Sequence, residues 1–154
     1  MNYPSKTFKI QAKYKKLFQV CLDVVSRDKS ELTSALLKEK IGLVNFNLLP
    51  TYDFNELIST MIYNLKILVD KSSYNEVKSF IQHHEKVSEI LPYLSSISNH
   101  LTGLHVRVSN DISKIVYQLK KETLGEVIEL AILWFVIQSS KETYNLIKFT
   151  VQSI

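Results

Sequence analysis

The chain has 154 residues, 45% of them hydrophobic and 22% charged. That is globular composition at a one-domain length, which excludes disorder and collagen-like structure, and residues 1–154 read as a single domain. One cysteine leaves no intrachain disulfide, and three Gly with three Pro are too few for the many turns of an all-β fold. The expectation is an all-α protein: a compact bundle of about six to seven helices, with roughly 65% helix or more against a base rate near one third, and no strand of consequence.

Met1 to Ile10 carries no apolar stretch of the kind a secretory signal needs, and residues 1–6 are expected to form a flexible arm. Ile10, Tyr14, Leu17, Cys21 and Val24 recur at spacings of three and four, which predicts a first helix from about Thr7 to Ser26. A second helix is expected after Asp28, with Leu32, Ala35 and Leu36 inward and a stop near Gly42. Leu43 to Tyr52 then read as an apolar, packed connection that Pro50 keeps from being helical.

A third helix over about Phe54 to Val69 has a wide stripe of Phe54, Leu57, Ile58, Met61, Ile62, Leu65 and Leu68. A fourth is predicted over about Tyr74 to Leu91, with Phe80 and His84 on its inward face. From Leu94 the apolar positions Ile97, Leu101, Leu104, Val108, Ile112, Ile115 and Leu119 keep three-four spacing, so residues 93–122 are expected as one long helix or two collinear ones. Gly103 and Ser109-Asn110-Asp111 are the candidate breaks.

Leu130 to Ile137 is an uninterrupted apolar run that includes Trp134. A helix that is apolar all round is buried all round, so the helix over about 124–138 is expected at the centre of the bundle, with Trp134 largely buried. It is too short to span a membrane, which takes ~20 apolar residues. A last amphipathic helix follows over about Lys141 to Gln152. Asp28 with Glu31, Asp53 with Glu56, Ser73 with Glu76, Thr123 with Glu126 and Ser139 with Glu142 have capping-box spacing where the apolar period restarts.

The chemistry-bearing residues point to no reaction. His83, His84, His100 and His105 lack the three- or four-residue spacing of a helical ligand pair, so no metal is expected. Cys21 lies on an apolar face and reads as a small hydrophobe. The glycines Gly42, Gly103 and Gly125 build no phosphate loop, and no cofactor is expected. Glu126 and Glu129 read as first-turn complements of a helix dipole, and Glu85 with Glu89 as a solvated face.

Charge carries the remaining signal. Nineteen Lys plus Arg against fifteen Asp plus Glu give +4, and residues 1–22 hold Lys6, Lys9, Lys13, Lys15 and Lys16 with no acid. At helical spacing, Lys6, Lys9, Lys13 and Lys16 form one stripe, the candidate site for a nucleic acid or another polyanion. The absence of catalytic motifs favours a non-enzymatic, intracellular adaptor or regulatory protein that binds another protein or itself. A nucleic-acid accessory role through the lysines is the alternative.

Overall fold

The computed structural model describes residues 5–26, 52–120 and 123–154. In chain order these form β1 (Ser5–Gln11), α1 (Ala12–Val25), α2 (Phe54–Asp70), α3 (Tyr74–Gln82), α4 (Glu85–Ile90), a 3-10 turn (Leu91–Leu94), β2 (Leu101–Arg107), α5 (Asn110–Leu119), α6 (Leu124–Gln138) and α7 (Lys141–Gln152). Helix accounts for 71% of the described residues, and the strands pair into one small sheet. The predicted second helix and most of the connection after it lie outside the described residues.

α6 is the axis of the molecule. It touches β1 and each of the other six described α-helices. Val127, Ile128, Leu130 to Leu133 and Phe135 to Ile137 are buried. Each such large apolar side chain contributes about 1.5–3 kcal/mol relative to exposure, more than a helix cap supplies. Trp134 departs from the expectation of deep burial. It is half-buried at the rim of the core, edge-on to Phe80 with ring centroids 6.2 Å apart.

Local chemistry sets most of the helix starts. Asp53 accepts from the Glu56 N–H at 2.8 Å and Ser73 from the Glu76 N–H at 3.3 Å, as their capping spacing predicts. Ser109 accepts from the Ile112 N–H and opens α5. The start of α7 is capped by Ser140, one residue beyond the expected Ser139. Thr123 makes no side-chain cap.

Three expectations are corrected. The first helix begins at Ala12, not Thr7, because residues 5–11 are a strand: Phe8 and Ile10 are buried while Thr7 and Lys9 between them are exposed. Residues 93–122 are not one helix or a collinear pair. They hold the end of the 3-10 turn, then β2 and α5, and Leu104, Val106 and Val108 are buried at every second position. A spacing of four satisfies a strand's alternation as well as a helix's turn, so Leu104 and Val108 fit both patterns. Leu101 betrays the helical reading, since it is 64% exposed. The predicted fourth helix breaks at His83 into α3 and α4. Its Phe80 points outward, 52% exposed.

β1 and β2 are antiparallel, with Ser5 opposite Arg107 and Gln11 opposite Leu101. They are far apart in sequence, so no tight turn joins them and the scarcity of Gly and Pro does not prevent the sheet. β1 lies against the first turn of α6 so closely that a Cβ at Gly125 would stand 2.0 Å from the Lys9 carbonyl oxygen. Gly125→Ala is therefore expected to push strand and helix apart, at about 1–3 kcal/mol or more. Gly103→Ala, whose Cβ meets the Thr7 methyl at 3.1 Å and the His105 ring at 3.4 Å, both side chains that can shift, is expected to cost much less. Urea denaturation of both variants checks this contrast, and equal losses would refute it.

Candidate functional site

The phase of the sheet follows from two hydrogen bonds. The Arg107 N–H is donated to Asn55 Oδ1 at 2.8 Å, and the Gln11 N–H to Glu129 Oε2 at 2.8 Å, so neither points at its partner strand. In an antiparallel ladder, residues facing each other alternate between pairs that exchange bonds and pairs that turn their polar groups outward. Thr7, Lys9 and Gln11 therefore direct their N–H and C=O groups away from β2, toward α6. Leu101, Gly103 and His105 direct theirs away from β1.

The two edges are treated differently. The outer edge of β1 is covered by α6 at its Lys9–Gln11 end: the Lys9 carbonyl rests on Gly125, and Glu129 takes the Gln11 N–H. On the outer edge of β2, the Asn55 side chain occupies Arg107 only. Among the described residues no strand or side chain pairs with the edge groups of Leu101, Gly103 and His105. Beside the Arg107 end lies a shallow groove of about 430 Å3, lined by Phe54, Asn55 and Val106 among others.

The solvent face of the sheet carries Ser5, Thr7, Lys9, Leu101, Gly103, His105 and Arg107. Neither strand contains an acid. Thr7 Oγ1 and His105 Nδ1 share a hydrogen bond at 2.7 Å across the strands. Lys9 stands directly opposite Gly103. Gly103 brings no side chain of its own to that face, and the Thr7 methyl and His105 ring flank the position at 3.1 and 3.4 Å from where its Cβ would stand.

Behind β1, the first turns of α6 hold a buttress of ionisable groups. Glu126 accepts from Tyr74 Oη at 2.8 Å and from Lys78 Nζ at 3.1 Å. Glu129 is half-buried. Burial pushes its carboxyl above the usual range and the nearby Glu126 adds to this, while the Gln11 N–H and Lys13 pull the other way. Burial first, then Glu129, raises Tyr14. Burial, then its bond to Glu126, raises Tyr74. The two carboxylates are thus more than dipole complements: they fasten α3 and β1 to the central helix.

The four candidate lysines do not share one helix face. Lys6 and Lys9 sit on β1, where successive side chains point to opposite sides, Lys6 half-buried and Lys9 exposed. Lys13 and Lys16 are on α1, and Lys13 lies 5.4 Å from the Tyr14 ring centre, within the field of Glu129. The histidines are spoken for in part by backbone. His83 Nδ1 is 2.8 Å from the Ser79 carbonyl, and His84 Nδ1 accepts the Lys86 N–H as the cap of α4. No three His, Cys, Asp or Glu among the described residues stand together as a metal site. Cys21 is buried, and burial raises its thiol. No described helix is long and apolar enough to cross a membrane.

The sequence reading missed Leu101, Gly103 and His105 as site residues. The signal that marks them is the alternation of Leu104, Val106 and Val108. Compared with protein-family models, with curated proteins and with solved structures, the chain matches none.

The buttress yields a pH prediction. A carboxyl raised in the folded state binds its proton more tightly there than in the unfolded chain. Its contribution is full below the unfolded value and is lost as pH rises through the raised folded value. Glu129→Gln removes the charge and keeps an oxygen for the Gln11 N–H. It is expected to be at least as stable as the wild type at about pH 7, with a flatter pH profile above pH 5. Glu129→Ala orphans that N–H and is expected to lose about 1–3 kcal/mol. Urea midpoints across this range test both, and a Gln variant as weak as the Ala variant would overturn the account.

Proposed function

We propose that this chain is a non-enzymatic interaction module whose partner is a protein, bound in extended conformation along the outer edge of β2. The observation that carries the reading is the set of backbone N–H and C=O groups at Leu101, Gly103 and His105, which have no partner among the described residues. An unpaired edge offers main-chain hydrogen bonds to any added strand, whatever its sequence. Further support comes from Leu101, a large apolar side chain left 64% exposed at the start of that edge. The buried thiol of Cys21, without a disulfide, suits an intracellular setting, which is part of the proposal.

A second reading, polyanion binding through Lys6, Lys9, Lys13 and Lys16, is favoured by the acid-free sequence of β1 and β2. It is weakened by the placement of Lys13 beside Glu129 and by the two strand faces that separate Lys6 from Lys9. Replacing all four lysines by Gln decides this reading. Loss of salt-dependent retention on a nucleic-acid column, with helix content unchanged, would support it, and retention that survives would sink it.

The protein-binding reading is tested by affinity capture from the source cell with wild type and two edge variants. His105→Pro removes an N–H that the β1–β2 backbone ladder does not use; it also removes the side-chain bond to Thr7, for which His105→Ala is the control, and circular dichroism is expected to be unchanged in both. Leu101→Asp alters the exposed side chain alone. Partners held by the wild type are expected to be lost from both edge variants. An identical partner set for the wild type and both edge variants would refute the edge as the interface.

A further inference from the structure

We propose that the strand accepted by β2 alternates acidic and apolar residues, and that Lys9, reaching past Gly103 on the acid-free face, selects its acids. The inference rests on the edge reading above and names the partner's chemistry.

Three placements carry it. A strand added to the outer edge of β2 presents every second side chain to the solvent face of the sheet. On that face it meets Leu101, Gly103, His105 and Arg107 of β2, and no acid lies on either strand. Opposite Gly103 the incoming residue meets no Cβ, only the edges of the Thr7 methyl and the His105 ring, 3.1 and 3.4 Å from that position. The next group beyond is Lys9, directly across the ladder and exposed. Lys9 and the added strand stand two strand spacings apart, roughly 10 Å, which a lysine stem and a glutamate side chain span together, so a carboxylate at that position gains an ion pair flanked by His105.

The alternate side chains of the added strand face the other way. There the groove of about 430 Å3 beside the Arg107 end is lined by Phe54 and Val106 together with Ser5, Asn55, His105 and Arg107. An apolar residue entering it packs on the Phe54 ring. Asn55 closes the Arg107 N–H, so main-chain pairing is limited to Leu101 through His105. The predicted ligand is short, with a carboxylate opposite Gly103 and apolar residues on both sides of it.

The test uses the full chain, isotope-labelled, and an amidated seven-residue peptide alternating Glu and Val. The controls are its Lys–Val counterpart, the Glu–Val peptide N-methylated at alternate backbone nitrogens in either phase, and a short DNA duplex. The Glu–Val peptide is expected to bind and to slow amide exchange at Leu101, Gly103 and His105 at least tenfold. Only one N-methylation phase should abolish this. Lys9→Glu should weaken binding at least tenfold, and the Lys–Val peptide should then bind better than the Glu–Val one.

Equal binding of both peptides to the wild type overturns the selection by Lys9. Binding that leaves those amides unprotected, or no binding at all, overturns the added strand. A duplex that binds with the same dependence on Lys9 and no amide protection assigns the face to a polyanion instead. If the peptides fail while captured partners are still lost on His105→Pro, the edge reading stands and only the acidic-apolar identity falls.

Discussion

The packing of the first turns of α6 against the outer edge of β1 is the contact on which the rest of the molecule depends. Gly125 permits it, because any side chain there would occupy the place of the Lys9 carbonyl. Glu129 completes it by accepting the Gln11 N–H at the point where the strand becomes α1. The start of α1 has no side-chain cap, and its Ala12 N–H is taken instead by the His100 carbonyl just before β2. Strand, helix start and the approach to β2 are therefore tied to the same turn of the central helix. Since α6 touches all the other described helices, the sheet's position is fixed by the core and not by a local hairpin.

This arrangement makes the sheet asymmetric. A two-stranded sheet has two edges, and α6 covers one. The cost is a half-buried carboxylate, tolerated because it makes a hydrogen bond that β1 would otherwise leave orphaned. Among the described residues the other edge meets the Asn55 side chain at Arg107. Which edge of the sheet α6 covers is thus a consequence of where its apolar run must lie.

Much of the helical scaffold was legible from periodicity and capping. α2, α6 and α7 fall within a residue or so of the expected bounds, because each has a long stripe or run and a clear start. The sheet was not legible, for two physical reasons. Its strands are too short for alternation to stand out against a spacing of four, which serves either geometry. Their pairing is non-local, as in the bond between Thr7 and His105, and no turn motif announces it. The break at His83 was hidden because His84 caps the following helix with a ring nitrogen, a role outside the usual Ser, Thr, Asp and Asn pattern. The lysine stripe depended on a helix that starts after Lys6 and Lys9. Once those two lie on a strand, the spacing that joined the four loses its meaning.

The lysines also divide by task. Lys78 pairs with Glu126, Lys148 with Glu89, and Lys86 donates to the Ile137 carbonyl at the end of α6. Exposed pairs of this kind contribute little to stability, yet they neutralise the charge around them. Lys9 is placed otherwise, exposed on an acid-free sheet face opposite Gly103. An open edge invites pairing with a second copy, and a lysine near it is a common natural guard against that. Two copies joined along β2 would set their Lys9 residues three strand spacings apart, roughly 14 Å, where salt screens most of the repulsion. On the proposed reading a carboxylate on an added strand stands one spacing nearer, so the same side chain would favour an acidic partner more than it disfavours a second copy, and specificity would arise as the difference between two affinities.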